Sequence, residues 1–294
     1  MKKCLFTGVA TALATPFDEN GINITEFKNF IKFQISSGVN ALVVCGTTGE
    51  ASTMTKAEKI SAIKCAIEVV KSSNFSKRIP IIVGTGSNNT SSAIEMSILA
   101  EKLGADGLLV VTPYYNKTTQ TGLISHFKAI AKSVSLPIIL YNVPSRTGIN
   151  ISPETCFELS KINNIVGIKE ASGNISQIAK ISALCSDDFN IYSGNDDQIL
   201  PVLSLGGKGV ISVLSNVEPK LTCSITNSFF KKAIDEACYY QLQALPLINA
   251  LFSETNPIPV KEAINILGYN FGLPRLPLVE CSTKLKNELR KILI

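Results

Sequence analysis

Residues 137–170 read PIILYNVPSRTGINISPETCFELSKINNIVGIKE, and the change of period along this stretch decides the fold. Pro137–Tyr141 and Ile165–Lys169 are short, continuous apolar runs rich in isoleucine, the pattern of strands buried on both faces of a parallel sheet. Between them Ser152-Pro153-Glu154 supplies a capping hydroxyl, a proline for the first turn and an early acid, which together open a helix. Apolar residues then recur at helical spacing over Pro153–Lys161. Strand, helix and strand in that order make one βαβ unit.

Working outward, the same alternation recurs. Short β-branched runs occupy Leu5–Leu13, Ala41–Cys45, Ile79–Val83, Gly107–Val111, Phe189–Tyr192 and Gly209–Val213, and with the two above they number eight. Helical patterns fill the gaps at Thr25–Ser37, Lys56–Lys71, Thr90–Leu103, Gly122–Ser133, Ile175–Leu184, Gln198–Leu205 and Pro219–Ala233. Thr25 with Glu26 marks a helix start, and Gly38 and Gly104 mark ends. Eight strand-helix repeats close a parallel (β/α)8 barrel, the TIM-barrel class of α/β fold. A doubly wound open sheet would carry a glycine-rich dinucleotide turn after the first strand, whereas here that strand runs into Ala14-Thr15-Pro16-Phe17. The expected organisation is a catalytic barrel over 1–234 and a C-terminal helical extension over 235–294, with helices near Cys238–Leu251, Val260–Leu267 and Ser282–Ile292.

Composition narrows the function classes. With 294 residues, 45% hydrophobic and 17% charged, the chain buries one large core. The net charge of +5 comes from scattered lysines, not from the basic stripe with interleaved aromatics of a nucleic-acid groove. A small anionic substrate fits better. The opening Met1-Lys2-Lys3-Cys4-Leu5-Phe6 runs into Gly8, Thr11, Thr15 and Pro16 without an export-signal pattern, and no apolar run is long enough to span a membrane. A soluble cytoplasmic protein is expected. The eight cysteines show no two-residue spacing, so they read as reduced thiols rather than as a zinc ribbon or redox pair. The single histidine, His126, sits in a helix-like stretch and reads as a partly exposed helical residue rather than a metal ligand or triad base.

Barrel enzymes work at the C-terminal ends of their strands, and these ends carry unusual residues. The sixth run ends in Lys169-Glu170, an ammonium in a core strand. Burial penalises the charged form of a lysine, and a neutral amine attacks a ketone. Alone, such a lysine fits a structural ion pair as well. The fifth run ends Tyr141-Asn142-Val143-Pro144-Ser145-Arg146-Thr147-Gly148: a phenol able to move protons, and a planar guanidinium fork for a carboxylate. The second run ends Gly46-Thr47-Thr48-Gly49-Glu50, just ahead of a helix. Its hydroxyls and amides suit a small carboxylate, although the same residues also make an ordinary tight turn. The fourth run ends Thr112-Pro113-Tyr114-Tyr115-Asn116-Lys117, with one tyrosine free to face a site and the other an interface. Ser193-Gly194-Asn195-Asp196-Asp197 ends the seventh run, and without a second acidic cluster it does not suggest a metal. Gly206-Gly207-Lys208-Gly209 precedes the eighth run, on the opposite face, and reads as structural.

Taken together, Gly46-Thr47-Thr48-Gly49-Glu50, Tyr141–Gly148 and Gly167-Ile168-Lys169-Glu170-Ala171 resemble the dihydrodipicolinate synthase and N-acetylneuraminate lyase family over the whole chain. The Thr-Thr pair and the arginine loop look like the synthase branch, which condenses pyruvate with L-aspartate 4-semialdehyde. The resemblance implies a Schiff base at Lys169 and a proton relay of Tyr141, Thr48 and Tyr115, the last supplied by a neighbouring subunit. It further implies a semialdehyde carboxylate on Arg146, a pyruvate carboxylate held by Thr47 and Thr48, and carbonyls of Gly194 and Ile211 lining the pocket. No metal or organic cofactor is implied, and the assembly implied is a homotetramer of tight dimers. Two other readings stay open: a pyruvate aldolase acting on sugar acids, and a silent homologue that binds a keto acid without turnover. Where relatives bind inhibitory lysine through histidines and a glutamate, this chain has Lys56, Lys59 and Ser92. Added cations repel that ligand's ammonium groups, so weak or absent feedback is expected.

Overall fold

The computed structural model describes residues 2–72 and 78–294; Met1, at the head of the leader reading, lies outside them. Along the chain the elements are β1 (Gly8–Ala12), β2 (Phe17–Asp18), β3 (Gly21–Ile22), α1 (Ile24–Ser36), β4 (Ala41–Val44), α2 (Lys56–Ser72), β5 (Ile81–Gly84) and α3 (Thr90–Leu103). They continue with β6 (Gly107–Val111), α4 (Gln120–Ser133), β7 (Ile138–Asn142), the single turn α5 (Pro144–Thr147), α6 (Pro153–Ser160), β8 (Ile165–Glu170), α7 (Ile175–Leu184) and β9 (Asn190–Ser193). The last are α8 (Ile199–Ser204), β10 (Gly209–Ser212), α9 (Pro219–Phe230), α10 (Ile234–Phe252), α11 (Ile258–Ile266) and α12 (Thr283–Leu293). Neighbouring strands run β1-β10-β9-β8-β7-β6-β5-β4, and β4 returns to pair in parallel with β1. The barrel closes as the eight apolar runs require. No helix among the described residues is long and apolar enough to cross a membrane.

The chain forms two compact units, Met1–Thr7 with Pro80–Ile211, and Gly8–Ile79 with Ser212–Ile294. In the first, the strand runs are buried because both faces of a parallel strand are covered: Ile82, Val110, Ile139 and Ile168 are fully enclosed. Asn89 caps α3 by accepting from the amides of Ser91 and Ser92, and Gly104 ends it at φ 95°. Ser152 caps α6 through the Thr155 amide, with Pro153 next. Lys2 ties the chain start to this unit, its Nζ donating to the carbonyls of Ile162 at 2.6 Å and Ile165 at 2.5 Å.

In the second unit Asn216 knits β1 in place. Its Oδ1 accepts from the Ala14 amide at 3.0 Å, and its Nδ2 donates to the Ala12 carbonyl at 2.8 Å. Phe30 packs edge-on against Phe271, 4.7 Å between centroids, and against Tyr269 at 5.3 Å. Arg275 grips Glu58 with both guanidinium nitrogens, at 2.5 and 3.0 Å. That fork holds the Glu58 carboxyl at about 2, against an ordinary 4.5. A carboxyl whose folded value is depressed adds stability above its unfolded value and loses it as pH falls through the folded one. The parent should therefore lose urea resistance between pH 5 and pH 2 more steeply than Glu58→Gln, and parallel curves for the two proteins would contradict this.

Several boundaries differ from the sequence expectations. The first run shortens to Gly8–Ala12, and ahead of it Phe6 stacks on Tyr192, 4.3 Å between centroids. The helix expected at Gln198 begins at Ile199, behind a 3-10 turn over Asp196–Gln198. The first helix is capped by Asn23, whose side chain accepts from the Glu26 amide, rather than opening at Thr25. The hairpin of β2 and β3 was not anticipated, although Asn20-Gly21 is a turn signal. His126 is buried, not partly exposed: it shares a face of α4 with Leu123, Phe127 and Ile130, and its Nδ1 lies 2.9 Å from Thr90 Oγ1. Burial lowers its pKa, so it stays neutral at physiological pH.

Candidate active site

The parallel register of β7, β8 and β9 sets Tyr141, Lys169 and Tyr192 side by side. Lys169 is 5% exposed, and its Nζ lies 4.4 Å from the Tyr141 ring centroid, within cation–π range. Among the described residues no carboxylate lies within ion-pair distance of it, so the ion-pair reading of this lysine falls away. Tyr192 is committed elsewhere, donating its hydroxyl to the Phe6 carbonyl at 2.9 Å. Gly194 leaves room for the lysine stem, since a Cβ there would stand 3.1 Å from Lys169 Cε and 2.6 Å from Ala171 Cβ.

Side chains alternate along a strand, and Glu170 points away from Lys169 into a separate amide cage. Its carboxylate accepts from Asn142 Nδ2 at 3.0 and 3.1 Å, from Gln177 Nε2 at 3.0 Å and from the Ser172 amide at 2.8 Å. Burial raises its pKa against the pull of these donors. The Asn142–Glu170 bonds tie the end of β7 to the end of β8, and Asn142 Oδ1 also accepts from the Ile151 amide at 3.0 Å.

Beyond β7 the chain turns through α5, and Gly148 closes the turn at φ 71°. Arg146 sits on this turn with an exposed side chain, while Thr147 is buried, accepting from Thr112 Oγ1 at 3.1 Å. On the β6 loop, Tyr115 is 90% exposed and Tyr114 38%. Tyr115 and Lys117 both have left-handed backbones, φ 73° and 49°, a strain that L-residues rarely adopt and that gathers at functional loops. A cavity of about 320 Å³ opens beside this loop, lined by Asn88, Thr90, Pro113, Asn116, Lys117 and His126 among others. Neither Lys169 nor Tyr141 lines it.

In the second unit the Thr-Thr turn follows β4 directly and is closed by the Glu50 amide on the Thr47 carbonyl at 3.0 Å. Helix α2 starts only at Lys56, so this turn is not a helix N-terminus. Among the described residues the amides of Thr48 and Gly49 donate to no other group, which leaves two successive donors for an anion. Gly49 is closely packed, since a Cβ there would stand 3.0 Å from the Leu13 carbonyl. Thr47 is half-buried and Thr48 buried, with the Thr48 hydroxyl oxygen accepting from Asn256 Nδ2 at 3.0 Å. Glu50 pairs with Lys261 at 2.8 Å, both side chains 1% exposed. Asn256 and Lys261 do not stand out in the sequence, and Glu50 does so only as the last residue of the Gly46–Glu50 motif, with no role attached. The one signal was a lone lysine in the apolar run Ile258-Pro259-Val260-Lys261.

The remaining candidates are backbone or bystanders. Ile211 is fully buried on β10 and Gly194 half-buried beyond β9. Asp196 is buried in the 3-10 turn, and no cluster of three potential metal ligands forms among the described residues. Burial pushes the Cys45 thiol up to about 12, which makes it a packed side chain rather than a reactive one. Gly207 packs where a Cβ would strike the Val202 carbonyl at 2.7 Å, in keeping with a structural role for that segment.

A model of the dihydrodipicolinate synthetase family matches residues 5–294. The chain is 56% identical over 286 residues to 4-hydroxy-tetrahydrodipicolinate synthase 1 of Clostridium acetobutylicum, covering 97% of this chain and 96% of that one. Among solved structures, dihydrodipicolinate synthase of Thermotoga maritima superposes with a TM-score of 0.95 at 43% identity, covering 99% and 98% of the two chains. A structure described as the first monomeric dihydrodipicolinate synthase variant superposes with a TM-score of 0.95 at 43% identity, covering 98% and 96%.

Proposed function

The chain belongs to the dihydrodipicolinate synthetase family, and from that premise we propose that Lys169 is the nucleophile of its pyruvate-dependent condensation. The activity is that of a 4-hydroxy-tetrahydrodipicolinate synthase, a Schiff-base lyase joining pyruvate to L-aspartate 4-semialdehyde on the diaminopimelate route to lysine. The observation that carries the residue assignment is the enclosed Lys169 amine beside the Tyr141 ring, with no carboxylate among the described residues within ion-pair distance.

The Lys169 amine attacks the pyruvate ketone carbon, and loss of water gives an imine. The imine draws electrons from the neighbouring methyl, which loses a proton and adds as an enamine to the aldehyde carbon. Tyr141, with Thr48 and Tyr115, moves the protons that imine formation and carbon–carbon bonding require. Thr47 and the Thr48 amide hold the pyruvate carboxylate, and Arg146 holds that of the semialdehyde. Carbonyls of Gly194 and Ile211 line the pocket. The relay needs Tyr115 from a second copy of the chain, and its 90% exposure on a strained loop supports that role. A homotetramer of tight dimers is the assembly proposed, with the monomeric variant among the relatives as the alternative that sedimentation would reveal. Residues 1–234 are assigned to the catalytic barrel and 235–294 to a helical extension. A cytoplasmic setting fits the eight free cysteines.

Incubation with both substrates should consume them in equal amounts. Comparable cleavage of N-acetylneuraminate would instead favour the sugar-acid reading, and pyruvate binding without turnover the silent one. Because Lys56, Lys59 and Ser92 replace the groups that hold an inhibitory lysine, L-lysine should not reach half-inhibition below the millimolar range. Inhibition at micromolar lysine would contradict this.

A further inference from the structure

The turn carrying Thr47 and Thr48 is gripped at two points from the C-terminal segment of its own unit. Thr48 Oγ1 accepts from Asn256 Nδ2 at 3.0 Å, with both side chains buried. Two residues on, Glu50 holds a left-handed backbone at φ 57°. Its Oε1 takes Lys261 Nζ at 2.8 Å, and its Oε2 takes the Arg275 amide at 2.8 Å. Lys261 Nζ also donates to the Leu273 carbonyl at 3.0 Å and lies 4.6 Å from the Phe17 ring centroid.

A buried ion pair is a poor way to stabilise a fold, since removing two charges from water costs about as much as their attraction returns and an apolar pair often serves as well. What such a pair does supply is position: Glu50, tied from both oxygens, fixes a strained turn. The Asn256 amide adds direction. A hydroxyl has one proton and two lone pairs, so an N–H donated to Thr48 Oγ1 occupies a lone pair and leaves the Thr48 proton for another acceptor. We propose that Asn256 and Lys261 are positioning residues, Asn256 setting the hydrogen-bond polarity of Thr48 and Lys261, through Glu50, holding the turn in shape for the pyruvate carboxylate. The C-terminal segment thereby tunes the reaction without touching substrate. This rests on the reading of Thr47 and Thr48 as site residues.

The test uses full-length Asn256→Ala and Asn256→Asp, with kcat, half-saturating pyruvate and the thermal transition measured for each. Asn256→Ala is expected to lower kcat by about tenfold, with a smaller change in half-saturating pyruvate. Asn256→Asp keeps the shape but, ionised, can only accept, so it captures the Thr48 proton. Its activity relative to the parent should recover as pH falls and the carboxyl regains a proton to donate. A purely structural role would show no such pH-dependent recovery. Both variants staying within twofold of the parent in kcat, or Asn256→Asp losing the same factor at every pH, would overturn the assignment to Asn256. For the pair, Lys261→Met strands an anion and risks unfolding, so Glu50→Gln/Lys261→Met is compared with it. A folded double variant should need several-fold more pyruvate for half-saturation, and parental kinetics in it would overturn the clamp. Borohydride trapping of pyruvate on Lys169 of the parent, run alongside, separates a failed reading of the site from failed positioning.

Discussion

Lys169→Met should lose turnover by about 10⁴-fold or more while its thermal transition stays level or rises. The two halves of that expectation have separate causes. Without the amine no imine forms, and what remains is the modest acceleration that binding alone provides once a nucleophile is gone. The stem of methionine follows that of lysine, but the polar head disappears from a site that is 5% exposed and, among the described residues, has no carboxylate within ion-pair distance. Burying a polar or charged group without a charge partner costs stability, so its removal is neutral or favourable. Lys169→Arg restores the cation without a usable nucleophile and should be equally inactive. A lysine retained only for structure would give the opposite pattern: a lowered transition in Lys169→Met and activity kept in Lys169→Arg.

Arg146→Ala should lower kcat/KM for the semialdehyde by about 10- to 100-fold, the factor expected for charge-assisted hydrogen bonds to a carboxylate. Half-saturating pyruvate should change far less, because its carboxylate is assigned to the Thr-Thr turn. Arg146→Lys should recover only part of the loss, since a point charge does not reproduce a planar two-donor fork. The side chain sits on a one-turn helix fixed by Val143, Pro144 and Gly148, so neither substitution should move the fold. Equal losses toward both substrates would place Arg146 in general scaffolding. No loss toward either would remove it from the site and reopen the sugar-acid reading.

What could be read from sequence follows physical lines. Runs such as Ile138–Asn142 and Ile165–Glu170 were legible because both faces are buried and the apolar signal is uninterrupted. The hairpin at Phe17–Ile22 was not, because two-residue strands have no period to detect. The burial of His126 depends on which side of α4 faces the core; Leu123, Phe127 and Ile130 mark that side, and the imidazole shares it. Lys169 and Tyr141, at strand ends, and Arg146, on the turn that follows one, stand out in the sequence as candidates because barrel enzymes work at that end of their strands. Asn256 and Lys261 were not, since their partners Thr48 and Glu50 lie 208 and 211 residues away in sequence and only the folded chain brings them together. Local pattern finds strand ends, and it is blind to contacts between residues this far apart in sequence.

The most direct measurement is borohydride reduction in the presence of pyruvate, followed by peptide mass spectrometry, because reduction traps only a genuine imine. Lys169 as the nucleophile requires the added pyruvate mass on the peptide containing Ile165–Glu170, at that lysine and at no other. An adduct elsewhere, or none under conditions of turnover, would contradict it.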